Sequence, residues 1–259
     1  MSDQEDTNEK KRKSNPKWKH AYSKMSIREV EKRLGFRMHE LKAKSVDKMF
    51  TNAPYSTEGV DSDTISKTKD KVYEQISGYL VIECYPSEAD ENFNESNVND
   101  LVYATISPIL IDFKRTMGRN NMQLLREKQV ITTDGETGGK EEFIVVDFIS
   151  VMEENFVLII EAKKSSLGQA IRQCLMVLKD TRDNNGGGVV YGFVTTGESW
   201  QMLSYDGKDF CLSRKIHSVF GGMEEDKELW LKDFSGVVDC MFFALSNGGI
   251  VKRDMAVQG

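Results

Sequence analysis

The stretch FIVVDFISVMEENFVLIIEAKKSSLGQAIRQ, residues 143–173, decides the fold of this chain of 259 residues. It contains two apolar runs with the length and composition of buried strands, followed by a segment with helical spacing. Asp147 lies within the first run, and Glu161 and Lys163 end the second. Charged side chains inside buried strands are costly unless they are paired or used in chemistry. These three residues are therefore the first candidates for a functional site.

A hairpin would bring the two acidic residues together. If polar residues 153–155 form the turn, its centre is residue 154, and because 147 + 161 = 308 = 2 × 154, Asp147 is predicted to lie opposite Glu161. Opposite residues on antiparallel strands have Cβ atoms about 4.5–5.5 Å apart. Lys163, two residues beyond Glu161, is predicted to share their face of the sheet.

Two carboxylates at that distance repel each other unless a cation lies between them. Mg²⁺ suits such a pair, because it binds one or two protein carboxylates together with water and phosphate oxygens. Lys163 could orient or deprotonate a water molecule and stabilise charge on a phosphate. The set is typical of phosphodiester hydrolysis, although a buried ion cluster without chemistry, or an inactive site, predicts the same three residues.

The surrounding periodicity predicts helices and strands that alternate. A wide apolar stripe predicts a helix over 97–117, which Pro108 is expected to kink or divide. Short apolar runs after this helix predict strands over 122–131, 143–151, 156–162, 189–195 and 201–205. Helical spacing predicts two further helices, over 170–178 and 224–245. The predicted fold class is α/β, with a sheet covered by helices on both faces.

Four segments are predicted along the chain. They are a disordered basic tail over 1–25, a helical N-terminal region over 26–90, the main domain over 91–246 and a C-terminal tail over 247–259. Ser26 and Glu29 form a capping box, so a helix is predicted from there to about Phe50, followed by a linker over 51–64.

Charge is distributed unevenly. The chain has 35 Lys and Arg against 41 Asp and Glu, a net charge of −6. Residues 1–50 carry 14 basic and 8 acidic side chains, or +6, which leaves −12 for the remainder. An acidic body is unusual for a nucleic-acid-binding protein, so any such role must depend on a local basic surface. The basic cluster from Lys10 to Lys19 is interpreted as a solvated tail, with a nuclear import signal or a phosphate-binding arm as the alternative.

Other classes of protein are excluded by composition. No apolar run approaches the roughly 20 residues that span a bilayer, so no membrane association is expected, and the polar amino terminus predicts an intracellular protein. Four Cys without a CxxC pair and only three His argue against a zinc site.

The spacing of the charged residues resembles a known family. VVDF, a 13-residue gap and then IIEAKK resemble the signature of PD-(D/E)xK nucleases, with Val146 in place of the Pro. The predicted order of helix, three antiparallel strands, helix and strand is also similar to the restriction-endonuclease-like core of that family, over about residues 95–206. The stretch CYPSEADENFNESNVNDLVYATISPIL, residues 84–110, resembles fungal proteins with this fold, including Crinkler-type effector domains.

The resemblance implies roles for individual residues. Asp147 and Glu161 would bind Mg²⁺ or Mn²⁺, and Lys163 would be the catalytic lysine. Many members of the family place a Gln on the helix that follows, where this chain has Gln169 and Gln173, one helical turn apart.

Further contacts are implied on either side of this set. Lys164 and Arg172 are candidates to contact phosphates. The helix before the sheet often supplies another metal ligand, for which Asp100 is the choice and Glu95 the alternative, although either residue could simply stabilise the helix N-terminus.

The expected function is metal-dependent cleavage of nucleic acid, with DNA as the first choice of substrate and RNA as the second. The alternative is a catalytically silent effector or interaction module that keeps the nuclease fold and binds nucleic acid or a protein partner. The acidic body favours the alternative, and the complete Asp, Glu and Lys set favours the nuclease.

Overall fold

The computed structural model of the chain describes residues 18–51, 60–86, 92–132, 134–150, 153–165 and 167–250. Nine strands are present in these parts of the chain. They are β1 (His20–Ala21), β2 (Ala43–Lys44), β3 (Met122–Ile131), β4 (Thr137–Phe148), β5 (Glu154–Ala162), β6 (Val190–Thr195), β7 (Ser199–Tyr205), β8 (Phe210–Ser213) and β9 (Ile216–His217).

The helices alternate with these strands. They are α1 (Ile27–Leu34), α2 (Val46–Phe50), α3 (Ser62–Glu83), α4 (Glu95–Met117), α5 (Leu167–Asn184), α6 (Lys227–Leu229) and α7 (Gly236–Asn247), and a π-helical segment, Trp230–Phe234, joins the last two. No helix in the described ranges has both the length and the hydropathy to cross a bilayer.

All nine strands belong to one mixed sheet. The order is β1-β4-β5-β6-β7-β8-β2, with β3 paired to β4 and β9 paired to β7. β3, β4 and β5 are consecutive antiparallel neighbours, and β6 returns parallel to β5 after the crossover through α5. β4, β5 and β6 are buried over most of their length, as expected for central strands.

Helices cover both faces of the sheet, which confirms the predicted α/β class with additional helices at both ends. On one face α3, α4 and α7 enclose a core that contains Ile76, Leu101 and Phe242. On the other face α1 and α5 enclose a second core that contains Val30 and Leu175. The predicted domain boundary at residues 90 and 91 runs through the first core, since α3 and α4 pack against each other.

α4 is not divided at Pro108, where a kink or a division was expected. Asn94 caps its N-terminus, and Gly118 ends it in a left-handed conformation. Pro108 is buried inside the helix, where packing of the wide apolar stripe on the sheet offsets the lost backbone hydrogen bond.

The N-terminal predictions were wrong in two respects. The helix predicted from residue 26 to about Phe50 ends at Gly35, which has a φ of 81°. The predicted tail over 1–25 includes β1, which pairs in parallel with β4, so part of this segment is ordered. Residues 1–17, which hold most of the basic cluster, and residues 251–259 of the predicted C-terminal tail lie outside the described residues.

The β3–β4 hairpin bends back over the α5 face of the sheet. Its ladder passes from the Arg126–Phe143 pair to the Lys128–Glu141 pair and omits Glu127, which has a φ of 50°. Lys128 nevertheless forms an ion pair with Glu154, at the start of β5. In a flat sheet about seven residues, or roughly 20 Å, would separate these side chains along the strands. The ion pair therefore requires a sharp bend of the hairpin, and the ladder is interrupted between these pairs, at Glu127 on β3 and Glu142 on β4.

Candidate functional site

The register of the β4–β5 hairpin differs from the predicted one. Phe148 pairs with Glu154, so the centre of the connection is (148 + 154)/2 = 151 rather than 154. A shift of three residues in the centre moves each partner by six, and Asp147 pairs with Asn155 instead of Glu161. The prediction failed because Glu153, Glu154 and Asn155 have the composition of a turn, whereas two of them belong to β5.

Asp147 is therefore far from Glu161. Six residues of β5 separate Asn155 from Glu161, or about 20 Å at 3.3 Å per residue. The Asp147 carboxylate accepts hydrogen bonds from Arg119 Nη2 at 2.6 Å and Nε at 3.1 Å. Arg119 also donates to the carbonyl oxygen of Leu245 at 3.0 Å. In this structure Asp147 joins the end of α4 to α7 and does not contact the other predicted site residues.

The bend of β4 instead brings Glu141 to Glu161. Both side chains are fully buried, at 0% exposure. In the described part of the chain, none of their four carboxylate oxygens has a donor in hydrogen-bonding geometry, although Lys163 Nζ lies 3.0 Å from Glu161 Oε1. Buried polar atoms without partners are uncommon in proteins and often mark a functional position.

Burial dominates the protonation of this carboxylate pair. Burial, and then the negative charge of Glu161, hold the pKa of Glu141 well above its usual range. Burial also raises the pKa of Glu161, and the ammonium group of Lys163 opposes that rise. Glu141 thus binds a proton more readily than Glu161, because Lys163 compensates only the latter directly.

Lys163 lies at the centre of a cluster of carboxylates. Its Nζ is 2.9 Å from Glu95 Oε1 and 3.1 Å from Glu142 Oε1, in addition to its contact with Glu161. Burial opposes the charge on Lys163, but these carboxylates, with Glu161 first, raise the pKa of its ammonium group above the ordinary value. Lys163 therefore stays protonated at neutral pH.

Of the two carboxylates considered on α4, the structure brings Glu95 to the site. Glu95 belongs to the first turn of the helix and reaches Lys163. The side chain of Asp100 is 66% exposed, and Arg126 is 3.9 Å from it. Asp100, predicted as a metal ligand, is therefore outside the cluster, since five residues along the helix place it on a different face.

The remaining predicted residues differ in their burial and contacts. Gln173 is buried on α5 beside Glu141, and its amide partly offsets the rise in the pKa of that carboxyl. Gln169 is exposed, and its Nε2 donates to the carbonyl oxygen of Ser23 at 3.5 Å. Lys164 and Arg172 are half-buried at the end of β5 and on α5.

Sequence reasoning missed Glu141 and Glu142. They occur in GGKEEF, residues 138–143, and the predicted strand begins only at residue 143. Glu141 lies level with the end of β5 only in the observed register, because the predicted register would place it opposite residue 167. The bend that turns its carboxylate towards Glu161 has no sequence signature, because Glu127 is not the residue type expected at a positive φ.

The chemistry of the pair suits a small divalent cation. Among the described residues, no group of three or more His, Cys, Asp and Glu side chains is arranged to hold a metal ion. Mg²⁺ does not require three, because it commonly uses one or two protein carboxylates and keeps several waters. The carboxylates of Glu141 and Glu161 are ligands of this kind, and Lys163 contacts Glu161, Glu95 and Glu142.

Comparison of the chain with models of known protein families gives no match, and comparison with curated proteins gives none either.

Proposed function

We propose that this chain is a metal-dependent nuclease that hydrolyses phosphodiester bonds in DNA at the carboxylate pair of Glu141 and Glu161. The single observation that carries the proposal is this pair of fully buried carboxylates, with Lys163 beside Glu161 at the end of a central strand. Keeping two acidic side chains together away from water is costly for stability. A cation held by both carboxylates would offset that cost and could at the same time bind a nucleic-acid phosphate.

The order of elements supports a restriction-endonuclease-like core. α4, β3, β4, β5, α5 and β6 follow each other as helix, three antiparallel strands, helix and strand. Glu161 and Lys163 occupy the E-x-K positions at the end of β5. The motif departs from the family in two respects, since Val146 stands in place of the Pro and Glu141, rather than Asp147, lies beside Glu161.

The carboxylates of Glu141 and Glu161 are the groups that would hold Mg²⁺ or Mn²⁺. When bound, such a cation supplies positive charge beside the scissile phosphate. Lys163 carries a raised pKa and is protonated, so it acts by stabilising negative charge and orienting the phosphate or a water molecule, rather than by removing a proton. Gln173 would fix the position of Glu141 from α5.

A second function is favoured by a specific observation. Glu141 and Glu161 have no exposed surface, and Lys163 is engaged by three carboxylates. A site that is closed and neutralised in this way suits a catalytically silent effector or interaction module that binds nucleic acid or a protein partner. A nuclear location directed by the Lys10 to Lys19 cluster is compatible with both functions and is part of the proposal.

Calorimetric titration tests the proposal. Mg²⁺ and Mn²⁺ are titrated into the wild type, into the Glu141→Gln/Glu161→Gln double variant and into Asp147→Asn, and each sample is assayed for nicking of supercoiled plasmid DNA. Asp147→Asn is the matched control, because it also removes acidic charge from the β4–β5 hairpin but lies about 20 Å away along β5.

We expect the wild type and Asp147→Asn to bind metal and nick DNA, and the double variant to do neither. Loss of metal binding in Asp147→Asn alone would restore the original motif assignment and reject the site at Glu141. A wild type that neither binds metal at millimolar concentration nor nicks DNA would reject the nuclease and leave the silent module.

A further inference from the structure

A groove on the surface formed by α1 and the segment after it is a second place of interest. It consists of two open clefts with volumes of about 610 and 460 Å³. Both clefts are lined by Gly35, Phe36 and Glu40, so they are adjacent, and together they are here named the α1 groove. The groove lies on the outer side of the α1–α5 layer, separate from the carboxylate pair between the strands.

The α1 groove is the basic region of an acidic protein. Six cationic side chains line it, namely Arg28, Lys32, Arg37, Lys42, Lys44 and Lys208, against three acidic ones, Glu31, Glu40 and Asp209. The lining therefore has a net charge of 6 − 3 = +3, whereas the whole chain has −6. A local excess of this kind is the electrostatic property expected of a site for a polyanion.

Two of the three acidic side chains of the groove have structural partners, and most of the cations have no acidic partner. Glu31 accepts a hydrogen bond from the Met38 amide at 2.9 Å, and Glu40 accepts one from the Arg37 amide at 3.1 Å.

Within the described residues, no carboxylate forms an ion pair with five of the six cations, and Lys44 among them donates to Cys211 Sγ at 3.3 Å. The five are Arg28, Lys32, Lys42, Lys44 and Lys208. Their charges are therefore available to a ligand.

Aromatic rings form part of the groove wall between the cations. Phe36 and Phe210 are half-buried, with ring centroids 5.5 Å apart, and Phe210 stacks on Tyr205 at 4.0 Å. Cations beside partly exposed rings are the combination by which proteins hold single-stranded nucleic acids, with phosphates on the Lys and Arg groups and bases on the rings. An acidic peptide would use the cations but would gain little from the rings.

We infer that the α1 groove binds single-stranded nucleic acid through its backbone phosphates and its bases. Ser23, five residues before Arg28, is hydrogen-bonded to Gln169 in the first turn of α5, one turn before Gln173. The segment that precedes the groove thus contacts the helix that carries Gln173. Binding in the groove does not require cleavage, and its test uses no metal.

The test is fluorescence anisotropy with a short labelled oligothymidylate in EDTA over a range of salt concentrations. The variant Lys42→Ala/Lys44→Ala/Lys208→Ala removes three groove cations. The matched control, Lys67→Ala/Lys227→Ala/Lys232→Ala, removes the same charge from α3 and the α6 region on the opposite side of the sheet. Phe36→Leu removes a ring and keeps an apolar side chain.

We expect the wild type and the control to bind alike and the groove variant to bind more weakly. The slope of log K against log salt is negative, and each lost phosphate contact makes it shallower by about 0.7 for a single strand. The loss of three contacts therefore makes the slope shallower by about 2. The ratio of wild-type to variant affinity then falls about 20-fold between 50 and 200 mM salt. Phe36→Leu should weaken binding without a change in slope.

Three results would overturn the inference. They are a wild type that does not bind the oligonucleotide, equal weakening in the groove variant and the control, and displacement of the oligonucleotide by a polyglutamate peptide at lower concentration than by unlabelled oligothymidylate. The last result would assign the groove to an acidic protein partner. If the triple variant melts below the wild type, Lys208→Ala alone, in an exposed turn, repeats the test with an expected slope change of about 0.7. Because nicking is measured separately, the groove and the nuclease proposals can fail independently.

Discussion

Glu141→Gln should stabilise the protein at neutral pH. Glu141 is fully buried, neither of its oxygens has a donor among the described residues, and the second carboxylate of the pair lies beside it. A buried polar group without a partner costs about 1–3 kcal/mol, and more if it is charged. Gln has the same shape and no charge, and its NH₂ group can donate to Glu161. We expect a gain of about 2 kcal/mol, or a rise in Tm of about 4–8 °C for a domain of this size.

The gain should depend on pH with a definite sign. The ordinary pKa of a Glu side chain is 4.5, and burial raises the pKa of Glu141 above it in the folded state. The folded protein therefore holds this proton to higher pH than the unfolded chain, and the wild type loses stability as pH rises from 4.5 through the raised value. Below pH 4.5 both states are protonated, so wild type and variant should melt alike.

Thermal melts followed by circular dichroism between pH 4 and pH 8, in EDTA, measure the effect. Glu142→Gln is the matched control, because its carboxylate is partly exposed and paired with Lys163, so no stabilisation is expected. A Glu141→Gln variant that is less stable than the wild type at pH 8, or a difference that stays constant over the pH range, would refute the assignment of a strained carboxylate pair.

Three other substitutions test contacts around the site and the N-terminal segment. Lys163→Met leaves the buried Glu161 without its cation, so it should cost roughly 2–4 kcal/mol at pH 8 and much less at pH 4, where Glu161 is protonated; equal losses in melts at the two pH values would contradict this. In Gly139→Ala the added Cβ would lie 2.6 Å from Tyr22 Cδ2, which should cost about 1–3 kcal/mol in urea denaturation, and an unchanged midpoint would show that the ring moves freely. Asp180→Asn weakens the acceptor of the 2.6 Å hydrogen bond from the Tyr22 hydroxyl, so a loss of about 1–3 kcal/mol is expected in the same assay, with Asp183→Asn as the exposed control.

The elements of the fold could be predicted because their patterns are long. The apolar stripe of α4 and the runs of β5 and β6 extend far enough to identify type and approximate bounds. β1, β2 and β9 have two residues each, too few to show a period. Their pairing depends on tertiary contacts, which propensity does not report.

The positions of the candidate site residues could be predicted in part for a related reason. Glu161, Lys163 and Gln173 were expected to lie near each other because only a short connection separates the end of β5 from α5. The predicted position of Asp147 opposite Glu161 was wrong because one misplaced turn changes every cross-strand partner. Glu141 became visible only with the bend of β4, which is a property of the folded hairpin.

The contact between Tyr22 and Asp180 sets an order of events during synthesis of the chain. The two residues are 158 positions apart. At about 5–20 residues per second, the ribosome adds the intervening segment in about 8–30 s, while a helix forms within about a microsecond. The Tyr22 side chain therefore stays without this partner, and exposed, until α5 has emerged from the ribosome. Slower translation of residues 23–180 would lengthen the time in which chaperones and proteases can reach it.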